Sequence, residues 1–410
     1  MADASLRPAA FARYWAAEAR SLQAAGVAMS VGLLATLVAG AVLAGARGTL
    51  EGTPGLLVLI PAAIGMRGFI FAALAARVGT GSLTGQFDGI IARGSFLARQ
   101  AEASVQLALG GAAAAGFIAW AAAVLAGLTT IPLLEMLAVS LVGAVLASAV
   151  LLVATVALSL RSRNAGWSMD DVGAPTITAV GDVVSLPALL LATKVVSPGA
   201  SATVLGLGSV VLGLGAVGRG IWSQSDTVRR VVRESTPVLV IAVTVDTIAG
   251  VVMETRLETL LDQPALLVLI PPFVASCGSL GGMLAARLAS RLHLGLLAPR
   301  PLPTAAGWLD LSLTAILAVA TFLAVGAVGW GAAVAGGLDA PALTGLVATS
   351  MAGGLLATVA LSTVAYVAAT ATYRFGLDPD NHGIPIVTAS MDLLGILCLV
   401  AAIGVTGGLL

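Results

Sequence analysis

The sequence predicts an all-α, polytopic membrane protein with eleven transmembrane helices, built as two parallel, pseudo-twofold five-helix repeats plus one linking helix. Three observations carry that expectation. The 410 residues are 59% hydrophobic and only 10% charged, with a mean hydropathy of +1.04, and apolar runs of membrane-spanning length recur along the chain. LLVLIP at 56–61 recurs unchanged at 266–271. Arginines collect in alternate connections, as a consistent orientation in a bilayer requires.

In chain order, the runs predict spans near 26–46, 54–78, 104–127, 132–159 and 172–194, then a shorter glycine-rich span at 201–218. Five more follow near 237–254, 264–290, 309–331, 341–371 and 383–408. The segment before the first span carries Phe11, Trp15, Arg7, Arg13 and Arg20. It reads as an amphipathic helix at the cytoplasmic interface, and no removable signal peptide is expected.

The repeat keeps one register throughout. Leu-Ala-Ala-Arg at 74–77 returns at 284–287, Gly68 matches Gly278, and Ser140 matches Ser350, always 210 positions on. This predicts a first five-helix domain over 1–196, a linking helix over 197–220 and a second five-helix domain over 221–410. With the N-terminus inside, cytoplasmic segments take Arg77, Arg93, Arg99, Arg161 and Arg163, then Arg219, Arg229, Arg230, Arg233, Arg287, Arg291, Arg300 and Arg374. Only Arg47, Lys194 and Arg256 fall outside, and Arg67 lies within a span. That balance requires residues 201–218 to cross, so the halves run parallel and the C-terminus is extracellular.

One motif inside the repeat bears chemistry. Residues 175–182 read PTITAVGD and 385–392 read PIVTASMD. Offsets of three and seven put Pro175, Thr178 and Asp182 on one helical face, and Pro385, Thr388 and Asp392 on another. A carboxylate inside a membrane span is costly and marks a pathway or binding site. A hard divalent ion such as Mg²⁺ suits one or two such carboxylates, because it keeps several of its waters. The two aspartates are therefore expected to face each other and bind a cation, supported by Thr178, Thr388, Gly181 and the two prolines. Asp170, Asp171, Asp378, Asp380 and Asn381 fall at the mouths, where acidic groups concentrate cations; as loop residues they equally fit helix N-caps. Glu135 falls at the opposite end of the fourth helix.

Two charged residues have no counterpart in the other half. Asp246 corresponds to Thr36, and Arg67 to Cys277. They read either as a structural ion pair or, for Asp246, as a site for a coupling ion, Na⁺ or H⁺. His293 and His382 lie on different segments, and Cys277 and Cys398 sit in apolar runs, so no soft-metal cluster or disulfide framework is expected. A net charge of +0 gives no footing for nucleic acid. No phosphate-binding loop or nucleophilic triad occurs, so ATP-driven transport is not supported; the chain is expected to be a transporter and not an enzyme.

At these residues the chain resembles the MgtE family of magnesium channels and transporters, in its tandem, solute-carrier-like form with two membrane domains per chain. The second copy carries the resemblance in Asp378-Pro379-Asp380-Asn381, Pro385, Thr388 and Asp392; the first keeps Asp170, Pro175, Thr178, Gly181 and Asp182. The resemblance implies Mg²⁺ transport between the two repeats, with the fused chain acting as a monomer with a pseudo-dimeric pore. In place of the family's Gly-Asn pair on the second helix, this chain has Gly68-Phe69 and Gly278-Ser279, and phenylalanine offers no oxygen. Two other classes compete. An intramembrane aspartyl protease also needs paired aspartates, but its Gly-x-Gly-Asp motif is not met by Ala-Val-Gly-Asp at 179–182. A structural or lipid-handling protein leaves the repeated aspartates unexplained.

Overall fold

The computed structural model describes residues 8–83, 85–87, 92, 94–165, 169–376 and 383–407, and among them every regular element is a helix. In hydrocarbon each backbone N–H and C=O has to be satisfied within its own segment, which long apolar runs achieve only as helices. The elements are α1 (Pro8–Ala17), α2 (Ala19–Gly45), α3 (Arg47–Gly52), α4 (Leu56–Leu83), α5 (Phe96–Leu125), α6 (Leu133–Ala165) and α7 (Met169–Val195). They continue as α8 (Ala200–Ile221), α9 (Asp226–Glu254), α10 (Leu257–Asp262), α11 (Pro264–His293), α12 (Ala305–Ala335), α13 (Leu343–Phe375) and α14 (Ile384–Thr406). Among the described residues 11 helices are long and apolar enough to cross a membrane, α1, α3 and α10 being the short ones.

Helix ends reach further than the apolar runs do. Residue 104 was the expected start of the third span, yet α5 begins at Phe96, where the Ser95 hydroxyl accepts a bond from the Ala98 N–H. Likewise α9 begins at Asp226 rather than near 237, capped by Ser225, and carries Arg229, Arg230 and Arg233 on its first turns. Hydropathy marks the hydrocarbon stretch, but a helix runs on until a side chain satisfies its open N–H groups.

The repeat is visible bond by bond. Ser140 donates to the Ala112 carbonyl at 2.7 Å, and Ser350 to the Phe322 carbonyl at the same 2.7 Å, both partners shifted by 210. The C-termini of α5 and α12 close on Gly127 and Gly337, at φ 69° and 70°, with Leu128 N–H on Ala123 O and Leu338 N–H on Ala333 O. Positive φ at both favours glycine, and a bond back across the last turn satisfies the open carbonyls.

Compactness groups the helices in another way. One unit comprises Met1–Ala44 with Glu258–Leu410; the other is Gly45–Leu257. Each half thus gives its first long helix to the unit built on the other half's remaining four. The same contact anchors both exchanges: a Cβ on Gly40 of α2 would overlap the Val268 carbonyl of α11, and one on Gly250 of α9 would overlap the Val58 carbonyl of α4. Glycine lets two helix backbones touch, and in a membrane such close packing drives association. The second helix of each repeat becomes the centre of its unit, with residues 56–60 and 265–270 almost fully buried. In Gly250→Leu the added side chain meets backbone that cannot yield. We expect that variant to lose about 1–3 kcal/mol by overpacking, read as a lower melting temperature in detergent, and Gly40→Leu to match it in the other unit.

The unit containing Met1–Ala44 also holds α1, docked by its polar face. Trp15 Nε1 donates to Ser312 Oγ at 3.0 Å, Tyr14 OH donates to Asp310 Oδ1 at 2.6 Å, and Arg291 Nη2 donates to Tyr14 OH at 2.8 Å. Glu18 and Asp310 both pair with Arg287 and Arg291. Burial and then the bond to Asp310 raise the Tyr14 pKa above its usual 10.0, so the phenol remains a donor at neutral pH. In the other unit the corresponding arginine has neutral partners: Arg77 Nε donates to Gln100 Oε1 at 2.8 Å and Nη2 to Ser104 Oγ at 3.3 Å.

Candidate functional site

The repeated motif lies on α7 and α14. Pro385 is at the start of α14, in the first turn, where a missing N–H costs nothing. Pro175 instead falls inside α7, which already begins at Met169. Proline therefore stands at the start of the helix in the second copy only. Thr388 and Asp392 are half-buried, Asp182 likewise, Gly181 is buried and Thr178 is exposed. Asp182 lies within α7 and Asp392 within α14, both inside candidate membrane spans.

In the unit of α11 and α14, the motif meets the second helix of its own repeat. A Cβ placed on Gly278 would stand 3.2 Å from Thr388 Cγ2 and 3.8 Å from Asp392 Oδ1, while Gly281 beside it takes Val387 and Met391. Gly278 is thus the surface on which the threonine and the carboxylate come together. Thr388 and Asp392 also each engage in a further polar contact. Among the described residues nothing comes within 4 Å of such a Cβ on the corresponding Gly68 of α4, leaving open space where the second copy is packed. Phe69 and Ser279 follow these two glycines, and Ser279 is exposed.

Asp246 and Arg67 are both buried, at 2% and 0% exposure. The ion pair between them that the sequence suggested is not formed among the described residues. A Cβ on Gly65 would overlap the Asp246 carboxylate, so Asp246 lies against the Gly65 face of α4. Arg67 is two residues on, about 200° round the helix. Its Nη2 instead stands 3.6 Å from where a Cβ on Gly143 of α6 would be. Two charges that each lack a counterpart in the other half suggested a pair; the helical offset keeps them on opposite sides of α4.

The acids expected at the mouths are less fully placed. Asp170 and Asp171 fall in the first turn of α7, with side chains outside the described residues, and Asp378, Asp380, Asn381 and His382 lie outside them altogether. Glu135 is in the first turn of α6, and His293 ends α11 with its Nδ1 2.8 Å from the Ala289 carbonyl. Among the described residues no three His, Cys, Asp or Glu side chains gather into a set able to hold a metal. One carboxylate per copy, with a hydroxyl one turn away, is a donor set for an ion that brings its own water.

Two polar features went unread in the sequence. Asp310 is a fully buried carboxylate in an apolar span, and its signal was the pair of arginines, Arg287 and Arg291, ending the preceding helix. Glu254 Oε1 accepts from the Gly55 N–H at 3.0 Å, tying the end of α9 to the start of α4; a glutamate at a span's end gives no such sign.

A family model described as MgtE, divalent cation transporter, matches residues 60–192 and 270–402, well over half of the chain and in two copies 210 positions apart. Each copy falls wholly within one compact unit, over α4–α7 and α11–α14. No curated protein and no solved structure matches the chain.

Proposed function

The chain belongs to the MgtE family of divalent cation transporters, a family of transporters and not of enzymes, and on that premise we propose that it moves Mg²⁺ with Asp182 and Asp392 as the groups that meet the ion. One observation carries the residue assignment: Thr388 and Asp392 converge on Gly278 within a membrane span, and the same residue types recur at Thr178 and Asp182. Mg²⁺ fits because it sheds water reluctantly and accepts one or two carboxylates in place of a full protein cage. The threonines, one turn from the aspartates, hydrogen-bond the ion's water. Gly181, Pro175 and Pro385 shape the backbone beside them. Asp170, Asp171, Asp378, Asp380 and Asn381 draw cations to the cytoplasmic mouths.

Asp246 is the candidate for a coupling ion, Na⁺ or H⁺, because it is a buried carboxylate within a span and the first copy has only Thr36 in its place. The N-terminus lies in the cytoplasm, the C-terminus outside, and a single fused chain supplies both halves of the pore. The protease alternative has no support, since its motif is unmet and the matched family transports ions.

The test is dye-reported Mg²⁺ uptake into proteoliposomes, with wild type, Asp182→Asn and Asp392→Asn purified to the same folded fraction. Uptake lost or strongly reduced in both is the expected result; normal uptake in both makes the aspartates structural. Imposing a Na⁺ or pH gradient then reads the coupling. Asp246→Asn should abolish the gradient's effect while leaving downhill Mg²⁺ uptake measurable.

A further inference from the structure

Among the described residues Arg67 forms no ion pair and no side-chain hydrogen bond. It is completely buried, and none of its Nε, Nη1 and Nη2 atoms has a hydrogen-bond partner among the described residues. A buried charge without a partner is strongly destabilising, and ionisable groups inside membrane spans belong to pathways. The surroundings show where a partner is to be found. The guanidinium reaches the crossing of α6 and α7, where a Cβ on Gly143 would stand 3.6 Å from Nη2 and 3.2 Å from Leu189 Cα. On α7, Leu189, Ser185 and Asp182 follow at offsets of four and three and so share one face. Ser185 is fully buried, and its hydroxyl also has no hydrogen-bond partner among the described residues.

The second copy supplies the level of residue 67. Cys277, at the corresponding position, has its Sγ 3.2 Å from where a Cβ on Gly395 would be, and Gly395 corresponds to Ser185. Residue 67 is therefore level with Ser185, and its side chain extends one turn along α7 to Leu189. Turned the other way, the same side chain reaches one turn toward Asp182. Asp246 cannot serve, being on the opposite side of α4. The Cβ position at Gly68, next in the chain, has open space around it.

We infer that Arg67 is a tethered counter-cation for Asp182: its guanidinium moves between its place beside Gly143 and the carboxylate, where it competes with an arriving divalent ion. The inference rests on the reading of Asp182 as an ion ligand. Displacement favours ions of charge two over monovalent ions, which offer the carboxylate no more charge than the guanidinium does. It also lowers affinity enough for release. Cys277 gives the second copy no such device, so the two halves are unequal.

The test titrates Mn²⁺, an octahedral oxygen-seeking stand-in for Mg²⁺, into the full-length protein in detergent, reading free Mn²⁺ by electron paramagnetic resonance. Arg67→Cys, which installs the second copy's residue, should bind Mn²⁺ about tenfold tighter, and Arg67→Lys should stay near wild type. In an Asp182→Asn background, Arg67→Cys should change nothing. Unchanged affinity in Arg67→Cys, or equal tightening with and without Asp182, overturns the inference while leaving Asp182 a ligand. Wild-type affinity in Asp182→Asn alone overturns the ligand reading and the inference with it. If Arg67→Cys is too unstable to titrate, melting temperatures of the two single variants and the double variant decide: the double variant should melt above the sum of the separate losses, and simple additivity overturns the coupling.

Discussion

Asparagine at position 392 is expected to reduce Mg²⁺ uptake about a hundredfold, and asparagine at 182 by nearer tenfold. The substitution keeps volume and one oxygen but removes the charge, and a charged hydrogen bond to the ion's water is worth about 1.5–3 kcal/mol, up to a hundredfold in affinity. The two copies should differ because their surroundings differ. Asp392 is held against Gly278 with Thr388 beside it, so little room is left for a substitute ligand. Around Gly68 the space is open, and water can take over part of what Asp182 supplies. Initial uptake rates across a Mg²⁺ series measure both effects. Equal losses at the two positions would mean that the packing difference around the two glycines has no bearing on the ion.

The largest structural effect is expected at Asp310. Its side chain is 0% exposed, while Arg287 and Arg291, which it pairs with, are 23% and 22% exposed. Asp310→Ala leaves Glu18 as the carboxylate paired with both guanidinium groups and removes the acceptor for Tyr14, and breaking a buried pair of this kind costs about 3–5 kcal/mol. Asp310→Gln, which copies the first half's Gln100, keeps an acceptor and should lose less. Thermal unfolding in detergent with protease accessibility of α1 as a second readout tests this: Asp310→Ala should melt earlier and release α1 to cleavage. A melting temperature within a degree of wild type would show that Trp15 and apolar contacts hold α1 without the ion pairs.

Much of this architecture is written in local pattern. A run of about 20 apolar residues has to span a bilayer as a helix whatever surrounds it, so the 11 spans could be counted in advance. A constant shift of 210 needs no structure to be seen, and it reappears in the paired hydrogen bonds of Ser140 and Ser350. The cost of a carboxylate in hydrocarbon likewise singles out Asp182 and Asp392 before any coordinates exist.

Partnership between helices is a different kind of information. Hydropathy cannot tell that α2 packs in the unit of α11 and α9 in the unit of α4, because every span is apolar and lipid tails compete with helix partners for each. That choice rests on where two backbones can touch, at Gly40 with Val268 and at Gly250 with Val58. The same holds for the charges: Arg67 and Asp246 looked like a pair because each lacked a counterpart, but 200° of helical rotation separates them. Asp310 looked like nothing until Arg287 and Arg291 from α11 and Glu18 from the turn between α1 and α2 were gathered round it. Burial in a membrane is decided residue by residue along the chain, whereas pairing depends on which faces of distant helices meet, and only the folded chain brings those faces together.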